Sequence, residues 1–275
     1  MDTNVLPFPW GKMRLPETMK PQHYDLLIHL NLTSLAFTGV VQILLEVEQA
    51  TRGIILQSKN LQISRALLLG PEHPQDLQVS EFEPYEQTAV FSDGFTFKRG
   101  SHVVQLELSA NLSDSFHGFY KSTYTTSSGE VRTLASTQFE ATHARAAFPC
   151  FDEPAFKASL TIHVQRESRH ISISNMPKVH ITEASIKMVS ICLGNGLLED
   201  HFDTTVKMST YLVAFIICDF HSISKKKSQH GVEISVYTVP EKINQVEYAL
   251  NTAVTLLDLH NDYSDIPYLL PKHGE

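Results

Sequence analysis

The chain has 275 residues, of which 42% are hydrophobic and 19% charged, and 30 acids against 22 bases give it a net charge of −8. That balance belongs to a globular protein with ample material for a core, and it argues against a nucleic-acid partner, since no basic face with interleaved aromatics is present. No run of about 18 apolar residues exists, so no membrane span is expected; the first ten residues lack the basic start and apolar stretch of a signal sequence.

Pro7, Pro9, Pro16 and Pro21 mark residues 1–22 as an extended arm. From Tyr24 the pattern takes a period of two: Phe37, Gly39, Val41, Ile43, Leu45 and Val47 share one face of a half-buried strand, with Thr38, Gln42, Glu46 and Glu48 on the other. Further strands are expected at Gly53–Gln57, Leu61–Leu69, Leu77–Phe82, Thr88–Phe91 and His102–Ala110, separated by turn residues. Phe116–Thr126 and Glu130–Phe139 flank Ser127-Ser128-Gly129 as a hairpin. Ser159–Gln165, His170–Ser174 and Phe202–Met208 follow, then Tyr211–Phe220, whose nearly continuous apolar character predicts cover on both faces. Val232, Ile234 and Val236 end the series. Many short strands and hardly a helix predict an all-β antiparallel sandwich or open barrel over residues 23–238. After Pro240 the period changes. Ile243, Val246, Ala249, Leu250, Ala253, Val254 and Leu257 predict an amphipathic helix of about twenty residues. Residues 239–275 therefore read as the start of a second domain whose body is absent, with the helix's apolar face left exposed.

The chemistry concentrates in residues 133–157. Glu140, Asp152, Glu153, Arg145 and His143 fall close together among aromatic rings, between and beside Pro149 and Pro154. Two readings stand: a buried Arg–carboxylate network bracing a junction, or an acid that faces a substrate. None of the fourteen histidines is followed by Glu, and no C-x-x-C or H-x-H pair occurs, so no metal site is expected. Nor is there a nucleophile elbow or a P-loop. Cys150 and Cys218 lie among apolar residues as expected buried thiols; with Cys192 they make an odd count, too few for a disulfide framework. Lys225-Lys226-Lys227 reads as a solvated loop. Asn31-Leu-Thr33 and Asn111-Leu-Ser113 are glycosylation sequons, pointing weakly to a secretory compartment.

One set of motifs reaches further. Phe8-Pro-Trp10, Arg14-Leu-Pro16, Pro21-x-His23-Tyr-Asp25-Leu, Phe116-His-Gly-Phe-Tyr-Lys-Ser-Thr-Tyr124, Thr137-Gln-Phe-Glu140, Ala144-Arg145, Phe148-Pro-Cys-Phe-Asp-Glu-Pro154, Ser174-Asn-Met-Pro177 and Lys207-Met-Ser-Thr-Tyr211 occur in that order. Together they closely resemble the N-terminal region of the oxytocinase subfamily of zinc aminopeptidases, the group containing the endoplasmic reticulum and leucyl-cystinyl aminopeptidases. The resemblance implies a saddle-like β-sandwich packed on a thermolysin-like α/β catalytic domain, in enzymes that trim N-terminal residues from peptides. It implies that Glu140 grips the free α-ammonium of a peptide, that Gln138 lines the pocket for the first side chain, and that Arg145, Asp152 and Glu153 are structural. It further implies one zinc ion in the full-length enzyme, an endoplasmic reticulum or other secretory location, and partnership with the catalytic domain or with full-length aminopeptidase subunits. Catalytic residues and zinc ligands are expected to lie outside this chain, which by itself would bind no cofactor and be inactive.

Three departures accompany the resemblance. Ala141 stands where the subfamily has proline, His180–Asn195 reads as an insertion, and the chain ends at Glu275 before the G-A-M-E-N and H-E-x-x-H motifs. The alternative reading is a free-standing β-sandwich interaction protein, or a truncated isoform that modulates the full-length enzyme.

Overall fold

The computed structural model describes residues 10–71, 73–183, 197–222 and 225–274. In chain order the strands are β1 (Met19–Asn31), β2 (Ala36–Val47), β3 (Gly53–Gln57), β4 (Gln62–Leu69), β5 (Gln75–Phe82), β6 (Gln87–Phe91) and β7 (Gly100–Asn111). The hairpin β8 (Gly118–Thr125) and β9 (Val131–Gln138) follows, then β10 (Ser159–Glu167), β11 (Ile171–Ser174), β12 (Lys178–Glu183), β13 (Leu197–Phe202) and β14 (Phe215–Cys218). The chain closes with β15 (Lys225–Lys227), β16 (Glu233–Ser235), helix α1 (Val246–Ser264) and β17 (Lys272–Gly274).

The protein is an all-β sandwich. Ten strands in the order β12-β13-β10-β1-β2-β7-β4-β5-β6-β3 form one sheet, and β11-β14-β9-β8 form a second. Within the large sheet, β1 and β10 pair in parallel. Alternation along the long strands builds these layers. Phe37, Val41, Ile43, Leu45 and Val47 are buried while Thr38, Gln42 and Glu46 are not, because successive side chains point to opposite faces.

A row of edge-to-face rings joins the sheets. Phe37 of β2 meets Phe119 of β8 at 5.1 Å, Phe119 meets Phe215 of β14 at 5.0 Å, and Phe215 meets Phe139 at 6.2 Å. Phe139 in turn meets Phe148, which meets Tyr24 of β1. Such pairs add about 0.5–1.5 kcal/mol each beyond burial.

Elsewhere a charged knot does similar work. The Asp200 side chain of β13, 0% exposed, accepts from Arg166 Nε at 2.5 Å and Nη2 at 2.9 Å, from Lys178 Nζ at 2.7 Å, and from Ser172 Oγ of the second sheet. Burial disfavours its charge, but these donors outweigh that and hold the carboxyl below its ordinary value. Burial pulls the Lys178 pKa down despite Asp200.

Four expectations from the sequence need correction. The strand expected at Phe202–Met208 lies earlier, at β13. Thr204 N bonds the Asp203 carboxylate at 2.7 Å and Leu160 N bonds Thr205 Oγ1 at 3.0 Å, so side chains take two of the backbone N–H groups there and only isolated backbone bonds, such as the Ala158–Met208 bridge, remain. The run at Tyr211–Phe220 shrinks to β14 because Asn175 takes the Ala214 N–H and the Leu212 carbonyl, and Leu212 is half exposed. Lys225–Lys227 is a strand, paired with β16, not a loop.

The helix is the fourth. Val246, Leu250 and Ala253 pack on Ile234 and Val236, so the expected apolar face is covered within this chain, by strands that precede residue 239. The apolar row left exposed is the opposite one, Tyr248, Leu256, Leu259 and Tyr263. At the other end, β1 starts at Met19, inside the expected arm, and Gln87 Nε2 tethers that arm through the Lys12 and Met13 carbonyls. Cys150 and Cys218 are buried free thiols; Cys192, like most of the expected His180–Asn195 insertion, lies outside the described residues. No described helix is long and apolar enough to cross a membrane.

The titrating groups set a pH dependence. Asp200, and Asp219 with its Tyr124 and Arg132 donors, are depressed in the folded state, so their stabilisation is present above the unfolded value of about 4 and is lost as pH falls through the folded value. Burial also lowers His29 and His170, so below about pH 6.5 the unfolded chain takes up protons that the folded one resists. Both effects act in one direction. The urea midpoint should fall steadily from pH 7 to pH 3; a flat or rising profile contradicts this assignment.

Candidate functional site

The hairpin β8–β9 delivers the chain to residues 138–153. Its turn closes through Thr126 N to the Glu130 carbonyl at 2.9 Å and Gly129 N to the Thr126 carbonyl at 3.0 Å, with Gly129 at φ 85°. At its open end Gly118 pairs with Gln138. Gly118 has φ 73°, and a Cβ there would come within 3.2 Å of the Ala146 Cβ. The positive φ favours glycine, and the close approach to Ala146 adds a tight contact for any side chain. The hairpin end is thereby seated against the short 3-10 turn Ala144–Ala146.

Beyond β9 the alternation continues for two more residues. Gln138 is exposed, Phe139 is buried at 1%, and Glu140 is exposed. Phe139 packs between Phe148 and Phe215, and Gln138 and Glu140 on either side of it are both exposed. The Glu140–Ala141 peptide bond is cis. A turn then closes from His143 N to the Phe139 carbonyl at 2.8 Å, and the His143 ring lies 4.5 Å from that of His117. Burial and the neighbouring His117 lower the His143 pKa.

The acids of this segment divide sharply. Asp152 is 3% exposed and fully engaged: it accepts from Arg145 Nε at 3.0 Å, from Arg145 N at 3.3 Å and from Thr210 Oγ1 at 2.6 Å. Arg145 also donates to the Asp152 carbonyl and to Glu86 at 3.2 Å. Burial disfavours the Glu86 charge, but Lys59 and Arg145 hold its carboxyl low. Glu153 accepts from Leu15 N at 2.8 Å, Gln57 Nε2 at 3.1 Å and Arg14 at 3.1 Å. Gln57 is the hinge between them, since its Oε1 takes the Asp152 N–H at 2.7 Å while its backbone bridges Cys150 in both directions. Glu140 is different. Among the described residues its carboxylate has neither hydrogen bond nor ion pair.

Arg145, Asp152 and Glu153 are thus brought into one network, and Gln138 and Glu140 stand apart from it together. Sequence reasoning missed Gln57, Glu86 and Thr210 as network members. They lie far away along the chain, and a lone buried Gln in a short strand carries no local mark. A cavity of about 360 Å³ opens beside this strand end, between the second sheet and the C-terminal segment, lined by Ser136, Thr137, Phe215, Tyr237, Tyr268 and Lys272 among others.

The two kinds of acid should answer mutation differently. Asp152→Ala strands the buried Arg145 charge and should cost about 3–5 kcal/mol. Glu140→Gln should stay within about 0.5 kcal/mol, as at other exposed sites. Chemical denaturation of both variants checks this; equal costs would place Glu140 in the network.

Comparison with known proteins gives a consistent result. Residues 20–212 match the Peptidase M1 N-terminal domain. The chain is 55% identical over 270 residues to human endoplasmic reticulum aminopeptidase 1 and 49% identical over 276 residues to human endoplasmic reticulum aminopeptidase 2, covering 97% and 98% of itself and 28% of each relative. It is 32% identical over 269 residues to the human thyrotropin-releasing hormone-degrading ectoenzyme, covering 96% of itself and 24% of that protein. It spans about a quarter of the length of these relatives.

Proposed function

The chain belongs to the M1 peptidases through its N-terminal domain, in the oxytocinase subfamily of aminopeptidases, and from that premise we propose that it supplies the wall of a peptide-trimming site that recognises a free amino terminus. The carrying observation is Glu140, an exposed carboxylate without a partner among the described residues, in a segment whose other acids are all satisfied. An α-ammonium brought to it forms charge-assisted hydrogen bonds, the strong class of such bonds. An acetylated terminus or an internal peptide segment presents no cation and gains nothing. The anchor therefore sets the count of residues from the end.

In this reading Gln138, exposed two residues before Glu140, takes the first side chain. A neutral amide offers no counter-charge to lysine or arginine, so apolar first residues are favoured over basic ones. The 275 residues hold no H-E-x-x-H pair. The zinc of the full-length family enzyme has no ligand set of that kind here, and peptide hydrolysis belongs to a catalytic domain outside them.

The location follows the named relatives: the endoplasmic reticulum lumen. The sequon asparagines support it. Asn31 and Asn111 are both exposed and flank Ala36 in one row across β1, β2 and β7, at strand ends where a glycan is accommodated. Expression through the secretory route should yield a chain whose mobility shifts on endoglycosidase treatment; an unshifted chain contradicts the assignment.

Peptide titrations of the isotope-labelled chain, followed by NMR, test the anchor. Shifts should centre on residues 138–143 for a free-amine peptide, vanish for its acetylated form, and weaken by about tenfold or more in Glu140→Gln, the worth of one charge-assisted bond. The chain alone should hydrolyse no aminoacyl reporter. Equal binding of both peptides, or measurable turnover, would overturn the proposal.

A further inference from the structure

A second cluster lies on the large sheet and owes nothing to the peptide site. β13 is flanked by β10 and β12, and the register sets His163 opposite His201, His201 beside His180, and Gln165 opposite Glu199. Glu199 and His201 are two apart on one strand and therefore share a face. Three histidines thus form a row across three strands, with a carboxylate beside it. One ligand atom from each of His163, Glu199 and His201 lies within 4.8 Å of the other two, and all three residues are partly buried.

We propose that His163, Glu199 and His201 form a binding site for a divalent d-block cation, with Zn2+ as its natural occupant and a fourth position open to water. The orientation of the rings carries this. The Nδ1 atoms of His163 and His201 face each other at 2.8 Å. Around tetrahedral zinc, ligands at about 2.0–2.1 Å sit about 3.3 Å apart, so a small opening of the pair admits the ion. Asp25 backs His163 Nε2 at 3.5 Å. Glu199 Oε1 lies 3.3 Å and Thr182 Oγ1 3.0 Å from His201 Nε2, so rotation of the Glu199 carboxylate or a flip of the His201 ring brings the three ligands onto one ion. Gln165 Nε2 holds Glu199 at 2.7 Å. Ligating histidines are characteristically backed in this way by a carboxylate or other acceptor. Two imidazoles and one carboxylate suit zinc and its neighbours in the first-row series, whereas calcium and magnesium require oxygen ligands. His180 stacks flat on His201 at 4.1 Å and covers the site from β12. Bound metal would pin β13 to β10 and so fasten the sheet edge, where Val179 and Ile181 of β12 are exposed.

The sequence search missed this site because its ligands come from two strands and only the Glu199–His201 spacing is local. The test uses the whole chain, stripped with a chelator and titrated with Zn2+ alone. It should bind one equivalent with a dissociation constant of about 1 µM or below. A hundredfold excess over that constant should raise Tm by about 5–10 °C, and Co2+ in place of zinc should give the visible absorption of a tetrahedral site. His163→Gln and Glu199→Gln should each weaken binding at least tenfold, and Gln165→Leu by about tenfold through loss of support to Glu199. Absence of one-equivalent binding, or binding unchanged in His163→Gln, overturns the proposal. Should the variants not fold, the unmutated chain still decides the matter. Zn2+ should protect His163 and His201 from diethylpyrocarbonate, and modification of both rings at full rate in its presence counts as refutation.

Discussion

The buried pair of Arg145 and Asp152 is the interaction on which the junction depends. An ionised carboxylate at 3% exposure is tolerable only with its charge and lone pairs met, and they are met from several directions at once. Arg145 comes from the 3-10 turn after β9, Thr210 from the turn before β14, and Gln57 from β3 through the Asp152 N–H. Segments far apart in sequence are thereby fixed relative to one another. Such a pair adds little net stability over an apolar replacement, but removal of one partner is costly. Its worth lies in holding one arrangement.

That arrangement fixes the chain on the C-terminal side of Glu140. Phe139 is held in the ring row between Phe148 and Phe215, and the network begins a few residues later at Arg145. Between these two anchors the backbone has no choice of register. A one-residue slip would bury Glu140 without a partner and expose Phe139. The segment therefore combines a satisfied interior with an unsatisfied exterior charge. In the proposed role, a carboxylate with no partner among the described residues, held between these anchors, would receive a cation at little reorganisation cost.

Much of this was legible from residues alone. β2 was readable because apolar and polar positions largely alternate along it, and β3 because a short apolar run, Ile54-Ile55-Leu56, lies between Gly53 and Gln57. The hairpin showed in Ser127-Ser128-Gly129. Two of the misread stretches share one cause: Asp203, Thr205 and Asn175 use side chains to take backbone groups that a ladder would otherwise hold, and periodicity does not register that competition. The covering of α1 by β15 and β16 was invisible because the strands are only three residues long. Among the acids, sequence could gather Glu140, Asp152 and Glu153 but not sort them. Their division rests on Gln57, Glu86 and Thr210, which no local pattern connects. His163 and His201, 38 residues apart, become neighbours through register alone.

The central claim is that the outward side of residues 138–140 receives the first residue of a peptide. The most direct measurement uses a peptide with a free amine and a photoreactive first side chain, irradiated with this chain and mapped by mass spectrometry. Cross-links confined to Gln138 and the residues immediately around Glu140, and suppressed by acetylation of the peptide, are the expected result. Cross-links spread over other surfaces, or unchanged by acetylation, would contradict the account.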